Sequence, residues 1–314
     1  MKGSGISRRT FIQALTAGGA AWAVGFRPAR GLAKGPAGES LKLVFFTDVH
    51  ARLEWETPRA LEMAARAINK EKADLLIGGG DFITEGFDAT AEMMEPRWRL
   101  VEEFIGSLDG PLYPAIGNHD LVAVAPADGS APSADPRARF RQAFGRTSTR
   151  SSFDAGGRHF FLLDAIEIPG LEHPYRGYVD EAQQAWIRDE LQAVAPETPI
   201  VLVTHMPLLT PFYQATEGGT AAAPENRVIV NSHEVLSLFE EHSLALVLQG
   251  HLHVEEHLRR RGVTFLTGGA VCGKWWRGPW HGTPEGFMVV TLRGNDIAAE
   301  YKTYGWEARR PAGE

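Results

Sequence analysis

Two histidines separated by one residue follow an apolar run in the C-terminal half of the chain. The run 244–248 has the composition of a buried strand, and Gly250 ends it just before His251 and His253. Alternate side chains of an extended chain point to one face, so both imidazoles can reach one object. Imidazole is a common metal ligand, which makes a metal site one interpretation. Two surface histidines that lie close by chance would give the same tetrapeptide, so the rest of the chain must decide.

Four other apolar runs end in the same way, with side chains that can bind a metal ion. In open α/β sheets, binding sites form outside the carboxyl ends of the strands, where such side chains would meet. One aspartate after a strand is usually a turn residue, but five strand ends of the same kind indicate a shared site. The metal-competent residues at these ends are Asp48, His50, Asp81, Asn118, His119, Asp120, His205, His251 and His253.

These donors are carboxylates, imidazoles and one amide, and they indicate which ions the site would hold. Without a thiolate, such a set suits divalent ions such as Mn, Fe or Zn. Seven ligands are too many for one ion, whereas two ions sharing one carboxylate would have four each. Two metals about 3.5–4 Å apart are a known device for in-line displacement at phosphorus. The seven candidate ligands are Asp48, His50, Asp81, Asn118, His205, His251 and His253.

The segments between these ends predict the elements that position them. Strands alternate with helices and a β-rich tail follows from Val263, which predicts an α/β layered domain that is mostly parallel at first. Thr57 and Ser232 are the expected N-caps of the first and last helices, with Pro58 in the first turn. The predicted strands cover 41–47, 74–80, 112–118, 159–165, 199–205 and 244–250, and the predicted helices cover 57–72, 95–108, 181–193 and 232–242.

The first 33 residues carry the features of an export signal. Arg8 and Arg9 precede a weakly hydrophobic stretch rich in alanine and glycine, and G-L-A at 31–33 is a small-x-small cleavage site. This layout resembles a twin-arginine (Tat) signal peptide, and its glycines disfavour the alternative of an amphipathic helix. The resemblance implies export by the Tat translocase to the periplasm or another extracytoplasmic location. Residues 34–314 would then form the mature domain.

Composition and charge narrow the class of partner. The chain has 314 residues, of which 44% are hydrophobic and 23% charged, as in ordinary globular proteins. Its single cysteine, Cys272, excludes an internal disulfide framework and a thiolate cluster. Loss of residues 1–33 removes five basic residues and no acid, which takes the formal net charge from −7 to −12. Such a charge disfavours long nucleic acid as a partner but permits a small anionic substrate beside bound cations.

The order of the motifs, D-x-H, G-D, G-N-H-D, H and G-H-x-H, resembles the calcineurin-like metallophosphoesterase superfamily. The resemblance extends over residues 41–304 and implies a four-layer α/β-β/α sandwich, with two mixed sheets face to face and helices outside. It also implies attack on phosphorus by a metal-bridging hydroxide, with His119 as general acid at the leaving oxygen. In the implied partition, Asp81 bridges the ions, one set of ligands is Asp48, His50 and His253, and the other is Asn118, His205 and His251.

At several positions this chain differs from the motifs of better-known branches of the superfamily, and these differences exclude some subfamilies. Protein Ser/Thr phosphatases carry an Asp-Arg pair where this chain has Thr84 and Glu85. Purple acid phosphatases need a tyrosine at Thr84 and a glycine at His50, so a tyrosinate–iron(III) site is not expected. The D-x-H form is similar to the branch with cyclic-nucleotide phosphodiesterases, lipid-A-type pyrophosphatases and exported bacterial phosphoesterases.

The expected function is binuclear, metal-dependent hydrolysis of a small anionic phosphodiester or phosphomonoester. Two alternatives stay open: a catalytically silent metal-binding scaffold of the same fold, and a nuclease acting on short oligonucleotides. A full ligand set disfavours the scaffold, and the acidic charge disfavours the nuclease.

The segment 268–287 supplies candidates for substrate selectivity. It resembles a C-terminal block of some exported bacterial phosphoesterases, and it contains Trp275, Trp276 and Arg277 in a loop flanked by glycines. Aromatic faces there would hold an organic substituent and Arg277 a second anionic group, which would favour a diester with a sizeable leaving group. The alternative is that the tryptophans only pack against the sheet edge.

Overall fold

A computed structural model of the chain describes residues 40–169 and 174–309. The segment 1–33, for which the export signal is predicted, lies outside the described residues. Among the described helices, none combines the length and apolar character that crossing a bilayer requires.

The strands are β1 Leu41–Phe46, β2 Leu75–Gly78, β3 Leu112–Pro114, β4 Ser151–Ala155, β5 Arg158–Leu162, β6 Ile166–Glu167, β7 Arg176–Gly177, β8 Ile200–Val203, β9 Leu244–Gln249, β10 Glu255–Arg260, β11 Val263–Gly268, β12 Gly286–Arg293 and β13 Asp296–Thr303. The helices are α1 Thr57–Lys70, α2 Ala91–Gly106, α3 Ala138–Ala143, α4 Glu181–Leu191, α5 Phe212–Thr216 and α6 Ser232–Ser237.

Two mixed sheets contain most of these strands. The first has the order β13-β12-β1-β2-β3, in which β1, β2 and β3 are parallel and β12 pairs antiparallel with both β1 and β13. The second has the order β10-β11-β9-β8-β5-β4, with a parallel centre and antiparallel edges at β10 and β4. The β-rich tail expected from Val263 is therefore divided: β11 belongs to the second sheet, whereas β12 and β13 form one edge of the first.

The strands are apolar on both faces because each sheet is covered on both sides. Leu43 and Phe45 of β1 belong to a buried cluster with Val201 and Val203 of β8, which fills the space between the sheets. The alternate residues of β1 face the other way and join a second cluster that includes the buried sides of α1 and α2. The four-layer α/β-β/α arrangement expected from the sequence is confirmed.

The expected N-caps of two helices are wrong by one residue. Glu56, in the left-handed conformation with φ 56°, precedes α1, and Thr57 is its first residue with a fully buried side chain. Asn231 precedes α6, which ends at Ser237 and so stops several residues before the predicted 242. In neither case does the side chain of the preceding residue form a capping hydrogen bond.

Helix α2 begins four residues before the predicted start. Thr90 caps it by accepting a hydrogen bond from the Met93 N–H at 3.3 Å. Pro96 therefore lies inside the helix, where it removes one backbone hydrogen bond, rather than in the first turn.

Candidate metal centre

The carboxyl ends of five strands meet at one edge of the sandwich and bring the predicted ligands together. Three of the strands, β1, β2 and β3, come from the first sheet, and two, β8 and β9, come from the second. The seven candidate side chains are Asp48, His50, Asp81, Asn118, His205, His251 and His253, none of them more than 5% exposed. Buried charged groups are costly unless they are paired or bind a metal, so their convergence needs a chemical explanation.

Three of these side chains form a first cluster that follows β1 and β9. The Nε2 atoms of His50 and His253 are 3.2 Å apart. The Oδ1 atom of Asp48 lies 3.2 Å from Nε2 of His253 and 3.8 Å from Nε2 of His50. Three donor atoms therefore point at one small volume.

A second cluster follows β3, β8 and β9. Nε2 of His205 lies 3.2 Å from the Asn118 amide oxygen and 3.2 Å from Nδ1 of His251. His251 and His253 thus face different clusters, although they are separated by one residue. Their spacing predicted that both rings would reach one object. The two rings do reach the same candidate centre, but each contacts a different cluster within it.

Asp81 lies between the two clusters. Its Oδ2 atom is 3.1 Å from Nε2 of His205 and 3.5 Å from Nε2 of His50. Its Oδ1 atom accepts a hydrogen bond from the His119 N–H at 2.7 Å, which fixes the carboxylate in this orientation. One oxygen atom is therefore held within reach of both clusters, as a shared ligand would have to be.

The outer ring nitrogens of three histidines are held by backbone carbonyls. The contacts join His205 Nδ1 to the Gly79 oxygen at 2.8 Å, His251 Nε2 to the Asn226 oxygen at 3.0 Å, and His253 Nδ1 to the Gly273 oxygen at 2.5 Å. Such contacts place the proton on the outer nitrogen and leave the inner nitrogen as a lone-pair donor, as metal-binding histidines require. The buried Cys272 adds to this outer side, with Sγ 3.6 Å from Nδ1 of His253.

The donor set fits a cation. The Oδ2 atom of Asp48 accepts hydrogen bonds from the Thr47 hydroxyl at 2.7 Å and the His251 N–H at 3.0 Å, but the buried Oδ1 atom accepts none. A buried carboxylate oxygen without a donor is unfavourable in the bare protein and is satisfied when a metal ion binds. Residues here could therefore hold metal ions at both clusters.

The pKa shifts of the histidines in the metal-free site also indicate that the buried carboxylates attract positive charge. Burial opposes ionisation of His205, but the Asp81 carboxylate outweighs it and raises the pKa of His205 to about 9. Burial and the charge on His205 lower the pKa of neighbouring His251 well below its usual range. A cation bound at this cluster would replace the proton on His205.

Five of the seven candidate ligands have backbone conformations that are rare for residues with a side chain. The φ angles are 54° at Asp48, 44° at His50, 55° at Asp81, 70° at His251 and 59° at His253. Left-handed backbone costs of order 1–3 kcal/mol at such residues and concentrates at functional sites. It turns each side chain sharply off the end of its strand toward the cleft, which strand alternation alone would not do.

Two glycines allow the chain segments to approach this closely. A Cβ atom on Gly117 would lie 2.2 Å from Oδ1 of Asp81, and one on Gly250 would lie 2.3 Å from the Thr47 hydroxyl. Each glycine directly precedes a predicted ligand. The G-N-H-D and G-H-x-H motifs therefore require glycine at their first position because no side chain fits there.

His119 differs from the other histidines of the site in its exposure and orientation. It is half-buried, and its ring lies 4.8 Å from the His50 ring, edge to face. The Glu85 N–H points at His119 Nδ1 at 3.3 Å, which places the proton of the neutral ring on Nε2. Burial lowers the pKa of His119 to about 4, so the ring is a neutral hydrogen-bond donor at neutral pH.

Asp120 is a functional residue whose role the sequence did not reveal. Its carboxylate accepts hydrogen bonds from the backbone N–H groups of Gly117 at 2.9 Å, Asp81 at 2.9 Å and Phe82 at 2.7 Å. It therefore ties the loop after β3 to the loop after β2 and positions both Asn118 and Asp81. Its place in G-N-H-D marked it as metal-competent, but only the backbone contacts show that it acts from behind the ligands.

The structure separates the three selectivity candidates. The Trp275 ring is half-buried and lies 4.8 Å from the His253 ring, beside the first cluster. Trp276 is only 1% exposed and its indole N–H donates to the His50 carbonyl at 2.9 Å, so it packs and positions instead of meeting a substrate. Arg277 is exposed and stacks over Trp55, 5.5 Å from the ring centre.

Residues 41–255 match the family model described as calcineurin-like phosphoesterase, which is more than half of the chain. The chain belongs to the calcineurin-like phosphoesterase family. The family is one of metal-dependent phosphoesterases. The matched region includes all seven candidate ligands but ends before the loop with Trp275.

Relatives of this calcineurin-like phosphoesterase include two bacterial proteins. A 3',5'-cyclic-nucleotide phosphodiesterase of Nostoc is 24% identical over 65% of this chain, and the match spans 64% of that relative's length. A probable cyclic nucleotide phosphodiesterase of Rhodococcus erythropolis is 25% identical over 73% of this chain and 70% of its own length.

Solved structures with the same fold come from more distant sources. A dimetal phosphatase from Danio rerio superposes with a TM-score of 0.55 and 15% identity, over 84% of this chain and 99% of its own. The anchor in the inner membrane complex of Plasmodium superposes with a TM-score of 0.50 and 13% identity, over 85% of both chains.

Proposed function

We propose that this calcineurin-like phosphoesterase hydrolyses a phosphodiester or phosphomonoester at a binuclear metal centre with two divalent ions of Mn, Fe or Zn. The observation that carries this proposal is the position of Asp81 Oδ2, 3.1 Å from a ring nitrogen of one cluster and 3.5 Å from a ring nitrogen of the other. In the proposal Asp81 is the shared ligand, Asp48, His50 and His253 complete one site, and Asn118, His205 and His251 complete the other.

The chain's own residues supply orientation and a proton donor. When bound, two such ions stabilise charge on a phosphoryl group and lower the pKa of water. His119 holds its proton on Nε2 at the half-open side of the site, where it donates a hydrogen bond to the leaving oxygen. The backbone contacts of Asp120 keep Asp81 and Asn118 in place during this step.

A phosphodiester with a nucleoside-sized group is the substrate class that has most support. The support is that the names of both bacterial relatives refer to cyclic nucleotides and that the D-x-H motif of Asp48 and His50 resembles that branch. The Trp275 ring beside the first cluster offers a face on which a base can stack.

A substrate panel on metal-depleted and metal-restored protein tests the proposal. The panel contains a 3',5'-cyclic nucleotide, bis(p-nitrophenyl) phosphate, p-nitrophenyl phosphate, a pyrophosphate ester and a short oligonucleotide. We expect hydrolysis that chelation abolishes and Mn, Fe or Zn restores. Asp81→Asn should lower the metal content of both sites, whereas Asp109→Asn, at an exposed position far from the clusters, should not.

Each alternative function predicts a different result in the same panel. Two bound ions without hydrolysis of any substrate would favour a silent scaffold. Cleavage of the oligonucleotide alone would favour a nuclease. Loss of only one ion in the Asp81→Asn protein would contradict the shared-ligand assignment.

We further propose that the protein is exported by the Tat translocase and works in the periplasm or another extracytoplasmic location. The support is the twin arginine at Arg8 and Arg9 with the segment that follows. Tat carries folded proteins, so the ions could be loaded before export, where competition from copper and zinc at such ligands is controlled. Replacement of both arginines by lysine should retain the protein in the cytoplasm, and normal export of that variant would contradict the proposal.

A further inference from the structure

Arg227 is a half-buried arginine in the loop that contacts the second cluster. Arg227 forms no ion pair with any carboxylate of residues 40–169 or 174–309, and its side chain is partly withdrawn from water. Other buried or half-buried arginines either pair with acids, as Arg97 does with Glu85 and Arg137 with Asp164, or donate to backbone carbonyls, as Arg158 does. A guanidinium that pairs with no carboxylate among the described residues is available for an anionic ligand.

The position of Arg227 follows from its neighbour in the chain. The Asn226 carbonyl is the group that accepts the hydrogen bond from His251 Nε2 at 3.0 Å, so Arg227 begins one residue away from a candidate ligand. Its charge lies within electrostatic range of His251, Tyr175 and Tyr213.

Tyr175 adds a neutral donor to the same wall. Its ring lies 6.5 Å from the His251 ring and 5.8 Å from the Phe87 ring, so packing holds it over the second cluster. Its hydroxyl group is next to the Asn118 side chain. A phenol keeps its proton at neutral pH, so the Tyr175 hydroxyl offers an O–H donor.

We propose that Tyr175 and Arg227 form an oxyanion-binding site that holds an anionic oxygen of the substrate beside the second cluster. The inference rests on the proposed function, because it assigns the groups that recognise the phosphoester there. A guanidinium offers paired N–H donors that match phosphate or carboxylate oxygens, and the phenol adds one more donor. Arg277, the sequence-based candidate for this role, is stacked on Trp55 and exposed, beside a different part of the cleft.

The placement also divides the cleft into two walls with different chemistry. Trp275 lies against His253 of the first cluster, and Tyr175 lies against His251 of the second. The aromatic face of Trp275 suits the organic part of a substrate, whereas the wall with Arg227 suits its anionic oxygens. The substrate would therefore lie with its organic group toward Trp275.

Arg227→Met, Arg227→Lys and Tyr175→Phe test the proposal in the metal-loaded, full-length mature protein. We expect kcat/KM to fall about 10- to 100-fold for Arg227→Met and less for Tyr175→Phe, with metal content unchanged. The inhibition constant of inorganic phosphate should rise by a similar factor. Arg227→Lys keeps the charge but not the planar fork, so it should recover part of the loss. Arg259→Met, on the exposed face of β10, and Tyr178→Phe, bonded to Glu181 of α4, are the matched controls.

The substrate dependence identifies which oxygen is held. Equal losses for p-nitrophenyl phosphate, its diester and inorganic phosphate would assign the site to the reacting phosphate. Loss confined to substrates with a second anionic group, with phosphate inhibition unchanged, would assign it to that group. Unchanged kcat/KM and phosphate inhibition in Arg227→Met at full metal content would overturn the proposal.

Two further measurements separate this inference from its possible confounders. Circular dichroism and thermal unfolding of Arg227→Lys identify a folding defect, because the lysine stem conserves most of the packing. Calorimetric binding of inorganic phosphate to metal-loaded protein reports on the site without turnover. A wild-type protein that binds phosphate through Arg227 but hydrolyses nothing would contradict the proposed function and leave the oxyanion site supported.

Discussion

Asp120 illustrates how a residue can determine a metal site without facing it. Its two carboxylate oxygens accept backbone hydrogen bonds from Gly117, Asp81 and Phe82, with lengths of 2.7–2.9 Å. Those donors belong to two loops that each carry a candidate ligand. The left-handed backbone of Asp81, with φ 55°, is held in part by these contacts, since the peptide N–H of this residue is one of the donors.

Asp120→Asn should therefore weaken the metal site although no candidate ligand is changed. The amide group can accept at one position only and places an NH₂ group against backbone N–H donors, which costs about 1–3 kcal/mol. We expect about 10- to 100-fold weaker metal binding, as for other groups that orient ligands. Metal titration measures the effect, with Asp109→Asn as the surface control. Unchanged affinity would mean that the loops are held in place by other contacts.

His119 should behave in the opposite way, because it faces the cleft but lies outside both clusters. His119→Ala removes the Nε2–H donor while leaving the seven candidate ligands intact. We expect both ions to remain and kcat to fall roughly 10²–10⁴-fold. Metal analysis and steady-state kinetics on the same preparation decide the matter. If the variant loses metal and keeps its turnover number per bound metal, His119 is a ligand and not a proton donor.

At the scale of elements, the strand ends could be predicted from the sequence and the loops between elements could not. Apolar runs that stop at Asp48, Asp81 and Asn118 locate the edge of the sheet, because burial fixes where a strand can end. Tyr175 and Arg227 come from loops without periodicity, so only the folded chain places them beside a candidate ligand. The division of the β-rich tail between two sheets also depends on long-range pairing that no local pattern encodes.

Two adjacent residues in the loop between β11 and β12 also show that the sequence does not predict where loop side chains lie. Trp275 and Trp276 are identical in type, and both have φ angles in the left-handed region, 46° and 66°. Yet the first lies beside His253 while the second is buried and bonds to the His50 carbonyl. The alternatives of substrate contact and packing, which the sequence left open for this pair, thus separate into one for each residue.

The two tryptophans should accordingly respond differently to substitution. Trp275→Ala should raise KM for a bulky diester several-fold more than for p-nitrophenyl phosphate, because only the larger substrate uses the ring face. Trp276→Phe removes a donor to the His50 carbonyl and should lower stability by about 1 kcal/mol while affecting both substrates alike. Steady-state kinetics on the two substrates and urea unfolding measure these effects for both variants. Equal kinetic effects of Trp275→Ala on both substrates would return that residue to a packing role.

At the scale of the whole molecule, the candidate centre is the place where the two sheets are joined by polar groups. The rest of the space between the sheets is filled by apolar side chains such as Phe45, Val203 and Leu248. At the strand ends this packing gives way to carboxylates and imidazoles from both sheets, which are buried and incompletely satisfied in the bare protein. The sandwich is therefore weakest at its functional edge unless cations bind there.

Metal binding should for this reason stabilise the whole domain, not only the site. A ligand that binds the folded state alone at 100 times its dissociation constant adds about 2.7 kcal/mol, which for a domain of this size is a rise in Tm of about 5–10 °C. Calorimetry of metal-loaded and chelator-treated protein measures the difference. Asp81→Asn, which removes the proposed shared ligand, should abolish most of the rise, whereas Asp109→Asn should preserve it. Equal Tm values with and without metal, at confirmed occupancy, would show that the sheets are joined securely by their apolar contacts and that the centre adds nothing to the stability of the fold.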